Sequence, residues 1–186
     1  GHGALDAAAF KQYIDIADQL DALVVTTFLG IGSYDTMDSR YIGYIGHTGH
    51  LAANKAVFEC DFLLVLGSRL DVRQTGTLVD QFVPNGKVAW VDLDDTELTN
   101  PRVNIDWMFQ LDVKEFCGYF LANIDEINRN IDQRWQLKIL DTVKESLEDI
   151  PNEEISGLSP RDVLRCVQSF VGDGALIVAT GVGCHQ

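Results

Sequence analysis

The stretch Phe62-Leu63-Leu64-Val65-Leu66-Gly67-Ser68-Arg69-Leu70-Asp71-Val72-Arg73-Gln74-Thr75-Gly76 (residues 62–76) decides how the rest of the chain reads. The unbroken apolar run from Phe62 to Leu66 is that of a strand buried on both faces. Such runs belong to parallel sheets, whereas half-wet antiparallel strands alternate. Gly67 ends the run, and Arg69 and Arg73 follow four apart, ahead of Thr75-Gly76. In a parallel sheet the strands finish at one edge, and ligands bind outside those carboxyl ends. Two planar, permanently charged guanidinium groups at that edge suit an anion such as a pyrophosphate. The competing reading is that both arginines pair with Asp71, Asp92 or Asp94 and hold nothing, since 28 acidic residues face 14 basic ones.

The same pattern recurs outward from this stretch. Residues 23–27 form a short β-branched strand that ends near Gly30 and Gly32, residues 87–91 form one ending at Asp92, and residues 107–111 form one ending at Asp112. Apolar residues at helical spacing predict helices over residues 5–20 and 51–59, and residues 71–82 include another despite Gly76. Strands alternating with helices predict an α/β domain over residues 1–123, with its sheet between two helical layers. The glycines Gly43, Gly46 and Gly49 lie in a turn ahead of the helix that begins near His50. Glycines let backbone N–H groups approach a phosphate at a helix N-terminus. Asp92, at a strand end, suits the hydroxyls of a sugar. No G-x-G-x-x-G occurs, so the ordinary dinucleotide fingerprint is not the basis of this reading.

Beyond residue 123 the character changes. Residues 124–150 read as a charged helical extension with Ile127, Ile131, Trp135, Ile139 and Val143 on one narrow apolar face. Pro151 ends it, and residues 152–158 read as a linker, giving a middle segment of 124–158. In the last segment, 159–186, Ser159-Pro160 opens a helix over residues 161–170, and residues 175–180 form a strand before Gly181-Val182-Gly183-Cys184-His185-Gln186. A chain that stops on a glycine-rich turn just after a buried strand reads as cut.

The bulk numbers narrow the function. With 46% hydrophobic and 23% charged residues over 186 positions, this is a globular chain with a real core. A net charge of −14 argues against nucleic acid or an anionic membrane surface as partner, and no apolar run approaches the length needed to cross a bilayer. The four cysteines are too scattered for a zinc site or a disulfide framework, so a cytoplasmic protein without metal ligands of its own is expected. His47 and His50 lie three apart, but no third ligand accompanies them.

The segments GYIGHTGHLAANKAVFECDFLLVLGSRLDVRQTG (43–76) and VAWVDLDDTEL (88–98) resemble the central domain of thiamine-diphosphate-dependent enzymes of the acetolactate synthase type. The resemblance covers residues 1–121 and resumes at Ser159, where ATGVGCHQ (179–186) is similar to the start of the family's cofactor-binding C-terminal domain. It implies a three-layer α/β/α Rossmann-like parallel sheet of the DHS-like NAD/FAD-binding type. It also implies a homo-oligomeric parent that uses thiamine diphosphate and Mg2+ to decarboxylate a 2-oxo acid such as pyruvate and transfer the two-carbon unit. The form GSRLDVRQTG resembles the branch linked to sugar or surface-polysaccharide modification.

Carried over from the family, contacts to FAD or an ADP-type nucleotide fall on Thr27, Phe28, Leu29, Gly46, His47, Thr48, Gly49, Gly67, Arg69, Arg73, Asp92 and Asp112. Cys184, His185 and Gln186 match the first residues to approach thiamine diphosphate. No catalytic residue and no metal ligand is assigned. The family's catalytic Glu belongs to an N-terminal domain, and Gly172-Asp173-Gly174 reads as a turn rather than the Mg2+ motif. The chain by itself is therefore expected to be inactive. It departs from the family in reading His47-Thr48-Gly49 for Met-His-Gly, Asp71-Val72-Arg73-Gln74 for Asp-Asp-Arg-Val, Asp95 for a common Pro, and Leu111 for the usual Gly before Asp112. Other classes remain open: a structural spacer with no nucleotide, and an NAD-dependent deacylase, against which the lack of a catalytic His motif and zinc cysteines counts. The family also has an apolar strand ahead of the Gly1-His2-Gly3 turn, in mid-sheet; residues 175–180 are expected to take its place beside residues 23–27 or 62–66.

Overall fold

The computed structural model describes residues 1–127 and 133–148, together with Val163, Cys166, Val167, Ser169 and Phe170. In chain order these form α1 (His2–Asp6), α2 (Phe10–Leu20), β1 (Val24–Thr26), β2 (Tyr41–Tyr44), α3 (Leu51–Glu59), β3 (Phe62–Leu66) and α4 (Val72–Thr75). They continue with β4 (Lys87–Asp92), α5 (Asp95–Thr99), β5 (Trp107–Gln110), α6 (Val113–Ala122) and α7 (Gln133–Glu148). The chain divides into two units, Gly1–Glu148 and Asp149–Gln186, and α7 belongs to the first. In the second, the five described residues are helical; the strand expected at 175–180, and its expected place in the sheet, lie outside the described residues.

Among the described residues every strand pairing is parallel. β1 pairs with β2, and β4 lies between β3 and β5, with Leu64 opposite Ala89 and Ala89 opposite Trp107. The described strands thus form two hydrogen-bonded groups, and β1 and β3 do not pair with each other. The start of the chain lies against the turns after both. The Gly1 nitrogen donates to the Leu66 carbonyl over 2.8 Å and the Gly3 N–H to the Gly67 carbonyl over 3.0 Å. A Cβ on Gly30 would meet Gly1 at 3.5 Å.

Period-two alternation along buried strands produces two cores. Leu63, Val65, Val88 and Trp90 face one side, where Ala53, Ala56 and Val57 of α3 and Ile139 of α7 close the cluster. Leu64, Leu66, Val91 and Phe109 face the other side, against Ala4, Ile16, Phe116 and Cys117 from α1, α2 and α6. Helices on both sides of parallel strands make the expected α/β/α arrangement. Burial on these faces pushes the Cys60 thiol up to about 12 and the Cys117 thiol up to about 11, so both behave as small apolar groups.

Three local readings are revised. The single helix expected over 5–20 is two, broken where Ala8 takes φ +49° and Ala9 is fully buried. Gly43 and Tyr44 belong to strand β2 rather than to a turn. Of the stripe expected on one helix, Trp135, Ile139 and Val143 pack onto the first core, while Ile127 precedes the helix and Ile131 lies outside the described residues. Among the described residues no helix is long and apolar enough to cross a membrane.

Candidate functional site at the carboxyl ends of the strands

Each residue assigned to the site within the first unit sits at or just past the carboxyl end of its own strand. Thr27, Phe28 and Leu29 follow β1, Gly46 to Gly49 follow β2, Gly67 to Arg73 follow β3, Asp92 ends β4 and Asp112 follows β5. The turns after β2 and β3 meet. The His47 N–H donates to the Arg73 carbonyl over 2.9 Å. Gly46, at φ +116°, has no room for a side chain, because a Cβ would lie 2.3 Å from that same oxygen. Only glycine satisfies both conditions here.

Most N–H groups of this turn are used inside the protein. Those of Gly46, His47, Gly49 and His50 go to Asn54 Oδ1, Arg73 O, Gly46 O and Tyr44 O respectively. No side chain caps α3, so its first turn keeps the partial positive charge that favours an anion. His50 Nδ1 accepts the Tyr44 N–H over 3.1 Å, and burial lowers the pKa of its ring. That bond fixes the neutral tautomer with its proton on Nε2. His47 is exposed.

The two arginines differ. Arg69 Nε pairs with Glu97 at 2.7 Å, an acid other than the three expected, and its side chain is 73% exposed. Arg73 has an exposed side chain and, among the described residues, no ion pair or side-chain hydrogen bond. Asp71 caps α4 by accepting the Arg73 N–H over 2.7 Å. Leu70, between the arginines, takes φ +51° with its side chain 2% exposed. Such a left-handed residue costs on the order of 1–3 kcal/mol and persists because the core holds it.

Three carried-over residues already have structural work. Thr27 Oγ1 accepts the Gly30 N–H over 3.1 Å. Asp92 Oδ1 accepts the Asp94 N–H over 3.0 Å. Asp112 Oδ1 caps α6, accepting the N–H groups of Lys114 at 2.8 Å and Glu115 at 3.3 Å. Among the described residues neither Oδ2 takes a hydrogen bond, which leaves each able to accept a hydroxyl. Phe28 and Leu29 expose apolar surface, 42% and 67%. Cys184, His185 and Gln186 lie outside the described residues, as does residues 172–174.

Sequence reading passed over several residues that shape this edge. Asn54 bonds Gly46 twice, and Trp90, 1% exposed, donates from Nε1 to the Ser68 carbonyl over 2.8 Å. Ser68 Oγ bonds Gln74 Oε1 at 3.0 Å, and Arg102 donates to Thr75 Oγ1 and the Gly76 carbonyl. All of these are tertiary pairings without a local motif; the clue, visible only in hindsight, is a buried-strand Trp that needs an acceptor. Beside the turn opens a cleft of about 580 Å³, lined by Gly46, His47, Asn54, Leu51, Phe58 and Leu78 among others. Among the described residues no three His, Cys, Asp or Glu side chains gather as a metal site would require.

Residues 1–119 match the family model described as the thiamine pyrophosphate enzyme, central domain. The whole chain is similar to the acetolactate synthase large subunit of Cyanidium caldarium, 32% identical over 189 residues, and to that of Haemophilus influenzae, 31% identical over 190 residues. It is 37% identical over 189 residues to the large subunit of Porphyra purpurea. In each case it covers 100% of this chain but only 31–32% of the relative, so the chain spans about a third of their length.

Proposed function

The chain belongs to the thiamine pyrophosphate enzymes through their central domain, and on that premise we propose that the carboxyl edge of its strands binds FAD or an ADP-type nucleotide within an acetolactate synthase-like enzyme. The observation that carries the nucleotide reading is Arg73, whose exposed side chain has no ion pair or hydrogen bond among the described residues and whose carbonyl accepts the His47 N–H of the Gly46–Gly49 turn, ahead of the uncapped start of α3. A pyrophosphate would satisfy both. Arg69 joins by leaving Glu97, a surface pair whose loss costs only about 0–1 kcal/mol. The Oδ2 oxygens of Asp92 and Asp112 accept sugar hydroxyls, and Gly67, at φ +54°, lets the chain turn without a side chain in the way.

The parent enzyme decarboxylates a 2-oxo acid such as pyruvate and passes the two-carbon unit to an acceptor, a sugar being the alternative acceptor class. The acetolactate synthase relatives support this reading. Thiamine diphosphate with Mg2+, when bound, would supply the electron sink for loss of CO2; Cys184, His185 and Gln186 are the residues of this chain that would help to hold it, and the chain would add no catalytic side chain. The parent is a cytoplasmic homo-oligomer. CO2 release from pyruvate by the intact protein, dependent on thiamine diphosphate and Mg2+, and no release by the 186 residues alone, is the expected result. Cofactor-independent release, or turnover by the 186 residues, contradicts it.

A second reading is a structural spacer with no nucleotide. The Arg69–Glu97 pair at 2.7 Å and the capping work of Asp112 favour it. Equilibrium titration with FAD and with ADP separates the two.

A further inference from the structure

Asn54 stands on the first turn of α3 and makes a reciprocal pair of bonds with one residue outside its helix. Its Oδ1 accepts the Gly46 N–H and its Nδ2 donates to the Gly46 carbonyl, both over 2.9 Å. An amide side chain offers a donor and an acceptor side by side, where an ionised carboxylate offers acceptors alone. Gly46 is also where a side chain is impossible, and its neighbour His47 carries the bond to the Arg73 carbonyl. The Gly46 carbonyl further accepts the Gly49 N–H over 2.8 Å, so one peptide unit joins helix, turn and arginine segment.

We propose that Asn54 is a positioning residue: it locks the turn after β2 onto α3 and thereby sets where Arg73 stands relative to the helix N-terminus. The physical case is one of connectivity. Between α3 and the Arg73 segment the path runs Asn54 side chain, Gly46 peptide, His47 N–H, Arg73 carbonyl, with no flexible side chain after the first step. Releasing Asn54 leaves Gly46 at a backbone conformation it no longer has reason to keep, and the bond from His47 loses its fixed origin. The part of this proposal that concerns ligand affinity rests on the nucleotide reading; the part that concerns the turn does not.

Amide hydrogen exchange on the full chain, for wild type, Asn54→Ala and Asn54→Asp, tests it, with ADP titration as a second arm. The aspartate variant keeps the acceptor for the Gly46 N–H and loses the donor, so it serves if the alanine variant does not fold. The Gly46 and His47 amides should exchange about tenfold faster in Asn54→Ala, with Asn54→Asp between it and wild type, while the Val91 amide in the core keeps its wild-type rate. Where wild type binds ADP, its affinity should fall by a similar factor. Unchanged exchange at Gly46 and His47 overturns the proposal. So does acceleration at Val91 equal to that at Gly46, which marks a general loss of stability. If wild type binds no ADP, the nucleotide reading fails, and the exchange arm still decides on Asn54.

Discussion

The backbone N–H of His47 donates to the carbonyl oxygen of Arg73 over 2.9 Å, so the turn after β2 and the segment after β3 are held together by main chain alone. The bond bridges two groups of strands that do not pair with one another. It also explains the glycine before it. A side chain on Gly46 would occupy the space of the very oxygen that His47 needs.

Gly46→Ala should therefore destabilise the fold by about 1–3 kcal/mol or more, combining the left-handed backbone cost with a displaced turn. Gly32→Ala is the control, because Gly32 is also left-handed, at φ +90°, but nothing lies within 4 Å of its added Cβ. Denaturant midpoints should rank wild type, Gly32→Ala, Gly46→Ala in falling order. Equal losses at the two glycines would show that the contact with Arg73 is immaterial.

Trp90→Phe removes the donor to the buried Ser68 carbonyl while keeping most of the ring. Leaving that oxygen unpaired costs about 1–3 kcal/mol. Chemical denaturation should show the loss. A variant as stable as wild type would mean that the segment carrying Arg69 is held by other contacts.

His50 gives the turn a pH dependence. Burial lowers its pKa below the ordinary 6.5, and its Nδ1 must stay unprotonated to accept the Tyr44 N–H. Between the lowered folded value and 6.5 the unfolded chain binds more protons than the folded one. The contribution is thus complete above 6.5 and is lost as pH falls through 6.5 toward the folded value. Urea midpoints followed from about pH 7.5 to about pH 5.5 should fall more steeply for wild type than for His50→Gln. Parallel slopes would remove His50 from this role.

Much of this was legible in the sequence, and what was not has physical reasons. β3 and α3 occupy the expected residues 62–66 and 51–59, because a continuous apolar run between polar ends permits few other registers. β2 escaped notice because Tyr41-Ile42-Gly43-Tyr44 is short and broken by a glycine that the His50 ring needs close at hand. The break at Ala8 is a tertiary choice, made to bury Ala9, and alanine gives no warning of it. Strand periodicity places the candidate residues at one edge, but no pattern says that Arg69 meets Glu97 while Arg73, among the described residues, makes no ion pair. Glu97 lies distant from Arg69 along the chain, and many acids were equally available to pair with it.

The nucleotide reading makes the two arginines unequal, and one titration measures that. FAD and ADP are added at low salt to wild type, Arg73→Ala and Arg69→Ala. The account predicts that wild type binds, that Arg73→Ala weakens binding about tenfold to a hundredfold, as loss of a charge-assisted contact should, and that Arg69→Ala weakens it less, because Arg69 must first give up Glu97. No binding of either nucleotide by wild type, or full affinity in Arg73→Ala, would contradict it.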